Sequence, residues 1–393
     1  MLDNGNLVRR STVTTGDLGA ERLLNPDQGR AFVEGVMKRA ETLSKVRREL
    51  CSTPTKKINK ILINERVARK ASQNTAPRTQ NPFSWDQVVL TPVPIDLAYE
   101  LTKEVLRDNI EREAFEQKAA TKTEEAFARD LNDLFWNGDD EDYSAAATTL
   151  GAELAAGAVS ATAADTTDFP DASFGFGYLV IGDERIRYES KDATHFLSLT
   201  RGVDGTDDVV HANGVAVTFV PDALLPSHDG ILKLVRADGS VVDPSALGDG
   251  GFSIGLMNEM VDQIPEKFLQ VESFANSWRW FGNRKTKRAW GMYIAGRATA
   301  GGDAAIKGET ENPLGYPWHL DAHIPDGTMV FGPLLGAIQG IRYDTVRYRK
   351  TSEGKDLVSR GATYYKWEWE SIVALDEPTA FAIAEGITIS NAT

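Results

Sequence analysis

Apolar residues at Leu97, Leu101, Val105, Ile110, Ala114 and Ala119 recur at helical spacing, and the stripe resumes at Ala126, Phe127, Leu131, Leu134 and Phe135. Pro92 and Pro94 block a helix upstream, Asp96 can cap a first turn, and Gly138 followed by Asp139 and Asp140 stops it. The spacing predicts one helix from Asp96 to Asn137, which at ~1.5 Å per residue would be ~60 Å long. A compact domain of this length has a radius of gyration of about 20 Å. Such a helix therefore implies a flat or elongated subunit, of the kind that builds assemblies. Thr121-Lys122-Thr123-Glu124-Glu125 carries no apolar residue and marks a place for a bend, or for a break into two helices.

Upstream, Gly29 to Leu50 reads as a charged amphipathic helix with Phe32, Val36, Met37, Ala40, Leu43 and Val46 on its apolar side, as an arm lying on a neighbour would. Thr53 to Gln87 is basic and polar. It holds a short β-like run, Ile58, Ile61, Leu62 and Ile63, then Arg66, Arg69, Lys70 and Arg78 around turn residues, and predicts an extended hairpin loop. Val88 to Ile95 is a strand leading into the long helix.

From Ala145 to Ala164 the chain is nearly all Ala, Gly, Thr and Ser, linker-like or a weakly specified strand. Tyr178-Leu179-Val180-Ile181 and Arg185-Ile186-Arg187-Tyr188 then flank Gly182-Asp183, a two-residue turn that favours a tight hairpin. Phe196 to Leu199 and Val215 to Val220 add strands, giving an inserted β-sandwich or small barrel. Farther on, Ser253 to Leu269 places Ile254, Met257, Met260, Val261 and Ile264 on one helical face, and Phe274 to Trp290 reads as a second, tryptophan-rich helix. Strands follow at Thr328 to Gly332, Ile338 to Tyr348 and Ala362 to Leu375. The last sets Tyr364, Lys366, Glu368 and Glu370 against Tyr365, Trp367, Trp369 and Ser371 with period two.

The 393 residues suffice for two or three domains, and a hydrophobic fraction of 41% supplies real cores. No run of 18 apolar residues exists and Met1 to Arg10 lacks a signal-peptide core, so neither membrane insertion nor secretion by that route is expected. A single cysteine, Cys51, excludes an intrachain disulfide framework and suits a reducing cytoplasm. The net charge of −14 argues against broad attraction to nucleic-acid phosphates, yet permits a container whose lining must not adhere to packed DNA.

Candidate chemistry is sparse. His319 and His323 flank Asp321 in a pattern that invites a metal reading, but Pro317 and Pro325 bracket a non-helical segment in which two imidazoles need not converge. Asp204-Gly205-Thr206-Asp207-Asp208 offers calcium-type oxygens without further ligands at loop spacing, which favours a solvated turn. Gly175 and Gly177 are turn residues without a phosphate-loop context. Trp278-Arg279-Trp280-Phe281 with Arg284, Lys285, Lys287, Arg288 and Trp290 interleaves aromatics and cations. That pattern fits a single-stranded nucleic-acid platform, or the buried side of a helix whose cations face solvent. Cys51 and the five histidines lack the context of a nucleophilic or catalytic constellation, so no catalytic, cofactor-binding or metal residue is assigned.

The order of elements resembles the major capsid proteins of tailed bacteriophages, the Hong Kong 97 fold. Leu314-Gly315-Tyr316-Pro317-Trp318 followed by Ile324-Pro325-Asp326-Gly327-Thr328-Met329-Val330-Phe331-Gly332 is similar to that family's LGxPV … mPdgxixFGd segment. Ala374-Leu375-Asp376-Glu377-Pro378-Thr379-Ala380-Phe381 is similar to its closing v-x-x-P-x-A-F. Pro333 stands where many relatives carry Asp, and the insertion has no place in the minimal fold. The insertion resembles a small β module of phage virion proteins through Ile181 to Tyr188, Thr200 to Thr206, and His211-Ala212-Asn213-Gly214 with Val217.

The resemblance implies an α+β capsid fold with an N-terminal arm at 1–52, an E-loop at 53–87, and a peripheral-domain strand and spine helix at 88–144. The inserted β domain at 145–222 follows, then a mainly axial domain at 223–315 and return strands at 316–393. It implies a structural, non-enzymatic subunit of the virion, assembled in the host cytoplasm as hexamers and pentamers of an icosahedral shell around double-stranded DNA. It further implies portal and scaffold or decoration proteins as partners, the scaffold being a separate chain because the arm is short. Some relatives crosslink an E-loop lysine to a neighbour's asparagine; Lys56, Lys57, Lys60 and Lys70 lie in that loop, with no partner asparagine identified. The alternatives are an encapsulin-type nanocompartment and a tail or spike component whose β module binds glycans.

Overall fold

The computed structural model describes residues 34–63, 83–102, 104, 113–141, 145–170, 177–220, 224–247, 251–269, 274, 276–295, 312–352 and 355–389. Two sheets and one long helix carry the main core. In the first sheet the strand order is Arg47–Leu50, Ala337–Thr351, Ala362–Leu375, Val93–Thr102. The two long strands form an antiparallel hairpin, and Arg47–Leu50 runs parallel to its first strand from Arg47 opposite Ile338. The expected alternation holds: Tyr365, Trp367, Trp369 and Ser371 are buried, while Tyr364, Lys366, Glu368 and Glu370 are half-buried on the other face.

Here the predicted helix is corrected. Val93–Thr102 is a strand, paired from Ser371 opposite Val93 to Ala362 opposite Thr102, and the helix runs from Glu113 to Asn137. Leu97 and Leu101 lie four apart, which fits one helical face, but they also continue the period-two series Val93, Ile95, Leu97, Tyr99, Leu101 that turns toward the sheet's packed side. Tyr99 stacks on Tyr365 at 4.8 Å. The helix of 25 residues is ~37 Å long, not ~60 Å. Its second half is as expected, with Phe127, Leu131, Leu134 and Phe135 buried together with Trp136. It passes through Thr121 to Glu125 without a break, helped by Arg39, which ion-pairs with Glu124 at 2.5 Å. It stops at Gly138, where a Cβ would come within 2.3 Å of the His228 carbonyl oxygen.

The second sheet has the order Ser240–Val242, Ala382–Ala384, Met329–Pro333, Trp278–Gly282, Trp318–Leu320. Trp278–Gly282 is therefore a strand where a helix was expected; the helix begins only at Arg284 and runs to Ala295. Trp278 and Trp280 are buried against Phe331, with Trp280 and Phe331 centroids 4.3 Å apart, and Phe281 is buried on the other face against Trp136 and His319. Beside this sheet Ser253 caps the helix Ile254–Asp262 by accepting from Leu256 N at 2.9 Å, and Leu256, Met257 and Met260 are buried. The predicted helix there divides at Pro265, with Glu266–Leu269 as a short second piece.

Residues 34–39 are helical, and Val36, Met37, Ala40, Leu43 and Val46 enter this chain's own core. The apolar stripe read as an arm on a neighbour is thus, from residue 34 on, satisfied internally, and the helix gives way to the strand Arg47–Leu50. The hairpin loop is a ribbon of Lys56–Ile63 and Phe83–Leu90, in register from Lys56 opposite Leu90 to Ile63 opposite Phe83. Arg66, Arg69, Lys70 and Arg78 lie outside the described residues.

The insertion has its own core, separate from the main one: Leu150, Leu154, Phe169, Leu179, Ile181, Ile186, Tyr188, Phe196 and Val217. Two small sheets enclose it, one with the order Ala147–Thr149, Ala216–Val220, Gly177–Ile181, Glu184–Tyr188, and one with Ser160–Thr162, His195–Leu197, Ser190–Lys191. The Gly182-Asp183 hairpin forms as predicted, with Gly182 at φ 62°.

Candidate assembly surface and buried polar centres

The ribbon has two unlike faces because alternate residues of an antiparallel pair point to opposite sides. Ile58, Val88 and buried Leu90 turn one face onto Cys51, Ile338, Ile372 and Ala374 of the first sheet. Lys60 ties the same side to the chain end of that sheet, 3.1 Å from both Asp376 and Glu377. Lys56 reaches Glu49 at 2.7 Å and donates to the Leu50 carbonyl. The opposite face presents Lys57, Asn59, Trp85 and Val89 to solvent, with Trp85 71% and Val89 47% exposed. Of the lysines named for crosslinking, Lys56 and Lys60 are thus engaged in ion pairs, Lys57 is exposed, and Lys70 lies outside the described residues.

His319, Asp321 and His323 do come together, but as a structural centre. The Asp321 carboxylate is fully buried and accepts from the Thr42 hydroxyl, from Asn132 Nδ2 at 2.6 Å and from Trp136 Nε1 at 2.9 Å through Oδ2. Its Oδ1 accepts from His323 N at 3.0 Å and from His323 Nδ1 at 2.8 Å. Burial alone would raise the Asp321 pKa; the hydrogen bonds from His323, Thr42 and Asn132 outweigh it and hold the carboxyl well below the usual carboxylate range. Because the one Thr42 proton goes to Asp321, His319 Nε2, 2.8 Å from Thr42 Oγ1, must carry the hydrogen of that bond. Burial keeps His319 neutral, with its pKa pushed down to about 4. His323 is raised instead: burial lowers it, but the Asp321 carboxylate prevails. The carboxylate is saturated by five donors from three chain segments, which leaves no lone pair for a metal and makes the triad a clasp.

Among the described residues, the grouping with metal-ligand proximity is Asp139, Asp140 and Asp229. Its centre is taken by the Lys233 ammonium, which contacts Asp139, lies 2.9 Å from Asp229 and 3.0 Å from Asp140, and joins the helix end to the helix Ile231–Asp238. Burial lowers the Lys233 pKa, yet the hydrogen bonds to the three carboxylates carry it above its ordinary value.

In the acidic run at 204–208, Asp207 is exposed and Asp208 has a structural role. Asp208 accepts from Gly157 N at 2.8 Å and pairs with Arg201 at 3.0 Å. Arg201 in turn grips Glu184 through Nε at 2.8 Å and a second nitrogen at 2.7 Å, and His211 Nε2 lies 2.7 Å from the same carboxylate. Burial would raise Glu184, but these bonds bring its pKa down to about 2. Glu184, Arg201, Gly202 and His211, all from the short motifs read in the insertion, are thus the clamp of the module's interior. In the aromatic and basic run Trp278, Trp280 and Trp290 are buried while Arg284, Lys285 and Arg288 are exposed, so no aromatic face is open for base stacking. No helix among the described residues is long and apolar enough to cross a membrane.

No protein-family model matches the sequence, and no curated protein matches it. Solved structures match along nearly the whole chain. A chain of the satellite phage P4 procapsid with its size-determination protein aligns at a TM-score of 0.52 and 10% identity, covering 98% of this chain and 96% of that one. The capsid of a native GTA particle aligns at 0.50 and 12% identity, covering 99% and 100%, and that of an empty GTA particle at 0.50 and 11%, covering 89% and 90%. At such identities the likeness is one of fold: the chain has the α+β fold of these capsid chains.

Proposed function

We propose that this chain is the major capsid protein of a tailed phage, a structural subunit that assembles as hexamers and pentamers into an icosahedral head around double-stranded DNA. The observation that carries the reading is the end-to-end likeness of fold to chains of assembled capsids. It favours a capsid shell over an encapsulin-type compartment or a tail component. Residues 53–87 act as the E-loop and reach over a neighbour, 88–144 supply the peripheral-domain strand and spine helix, 145–222 form an accessory domain, 223–315 supply mainly the axial domain that meets its copies at the capsomer centre, and 316–393 supply the strands that return from the axial to the peripheral domain. The mechanism is geometric, since the ribbon buries against a second subunit surface that the single chain cannot cover. Portal, scaffold and decoration proteins complete the particle, which assembles in the host cytoplasm.

Negative-stain microscopy of the purified full-length protein tests the reading. Closed shells are expected; small monodisperse particles at high concentration would refute it. Deleting residues 53–87 is expected to leave a folded subunit that makes no shells.

A further inference from the structure

The stretch of sequence that contains the ribbon is also electrically unlike the rest of the chain. Residues 53–87 hold seven cations, Lys56, Lys57, Lys60, Arg66, Arg69, Lys70 and Arg78, against Glu65 and Asp86. That is a net +5 within a chain of −14, which leaves −19 on the remaining residues. The face that binds this chain's own body is already used by Ile58, Val88, Leu90 and the Lys60 ion pairs. The other face carries an indole 71% in solvent, on the same side of the ribbon as Asn59, Val89 and Lys57. Exposed tryptophan is costly in a soluble chain and common as the central anchor of an interface.

We infer that the Lys57, Asn59, Trp85 and Val89 face is the docking face of the ribbon and that its occupant is an acidic surface of a second copy of this chain, Trp85 serving as the apolar anchor. This rests on the shell reading and adds to it which face makes the contact and what chemistry receives it. Charge complementarity selects the copy: a strongly positive element on a strongly negative chain is attracted to the other parts of its own kind, while ribbons repel one another. The ion pairs at Lys56 and Lys60 hold the ribbon at its base, so less order is lost on docking.

The test uses the full-length protein. Its assembly is followed by light scattering against concentration and salt, and Trp85 is followed by hydroxyl-radical footprinting with mass spectrometry before and after assembly. Trp85→Ser is expected to keep the subunit's circular dichroism and raise the concentration needed for assembly about 10-fold, the loss of one interface anchor. Trp85→Phe is expected to restore most of it. Lys57→Glu is expected to raise that concentration several-fold, and raising NaCl to about 0.5 M is expected to do the same for the wild type. Trp85 should lose most of its oxidation in shells. Shells in which Trp85 is oxidised as readily as in free subunits, or Trp85→Ser assembling at the wild-type concentration, would overturn the inference while leaving the shell reading intact. Absence of any wild-type shell would overturn both.

Discussion

Replacing Asp321 with alanine tests whether the His319, Asp321, His323 centre is a clasp. The substitution removes the acceptor of five hydrogen bonds that join Thr42, the helix residues Asn132 and Trp136, and His323. Thr42 and Asn132 keep other contacts, Thr42 with His319 and Asn132 through its Oδ1 with Thr42 N at 3.2 Å. Trp136 Nε1 is left without an acceptor, and His323 loses the carboxylate that raises its pKa. A stranded buried donor costs about 1–3 kcal/mol, and breaking one side of a buried charged pair costs about 3–5 kcal/mol. These overlap, so a loss of about 4 kcal/mol is expected, against about 1–2 kcal/mol for Thr42→Val. Urea unfolding of the unassembled subunit, read by tryptophan emission, measures both. The double variant should lose clearly less than the two losses added together, because both act on one network. A loss below about 1 kcal/mol for Asp321→Ala, or strict additivity with Thr42→Val, would refute the clasp.

Two further outcomes follow from the buried charges. His319 is held neutral with its pKa near 4 rather than 6.5, so as pH falls the unfolded chain takes up the proton first. The stability this confers is complete above pH 6.5 and lost progressively toward pH 4, by ~3 kcal/mol, whereas His323, raised above 6.5, stabilises the fold below that pH and adds no loss as the pH falls. His228, also lowered by burial, adds a slope of the same sign. His319→Gln should flatten the decline measured by urea midpoints between pH 4 and 6.5, and an unchanged slope would count against it. In the inserted module, Arg201→Met leaves the buried Glu184 carboxylate short of its main partner, at a cost of about 3–5 kcal/mol. Limited proteolysis should then cut within residues 145–222 while the rest of the chain persists; a module as resistant as wild type would sink the assignment.

The sequence determined those elements whose pattern admits one period. Tyr364 to Ser371 alternates over a long run, Gly182-Asp183 sits between two β-branched strands, and Phe127 to Phe135 repeats only at helical spacing; each forms as read. The capsid fold followed from the order of such pieces. Where the pattern admitted two periods, tertiary pairing decided. Leu97 and Leu101 fit a helix face and a strand face equally, and the hydrogen-bond register with Ala362–Leu375 chose the strand. Trp278, Trp280 and Phe281 became a strand because Met329–Pro333 pairs with them. The apolar side of residues 36–46 was legible, but its partner was not, since an amphipathic stripe says that it is covered without saying by which chain. For the same reason the roles of Asp321, Glu184 and Lys233 were hidden: a carboxylate or ammonium group takes its function from the donors and acceptors around it. Thr42, Asn132 and Trp136 reach Asp321 across separations of 185 residues and more, which no local pattern records.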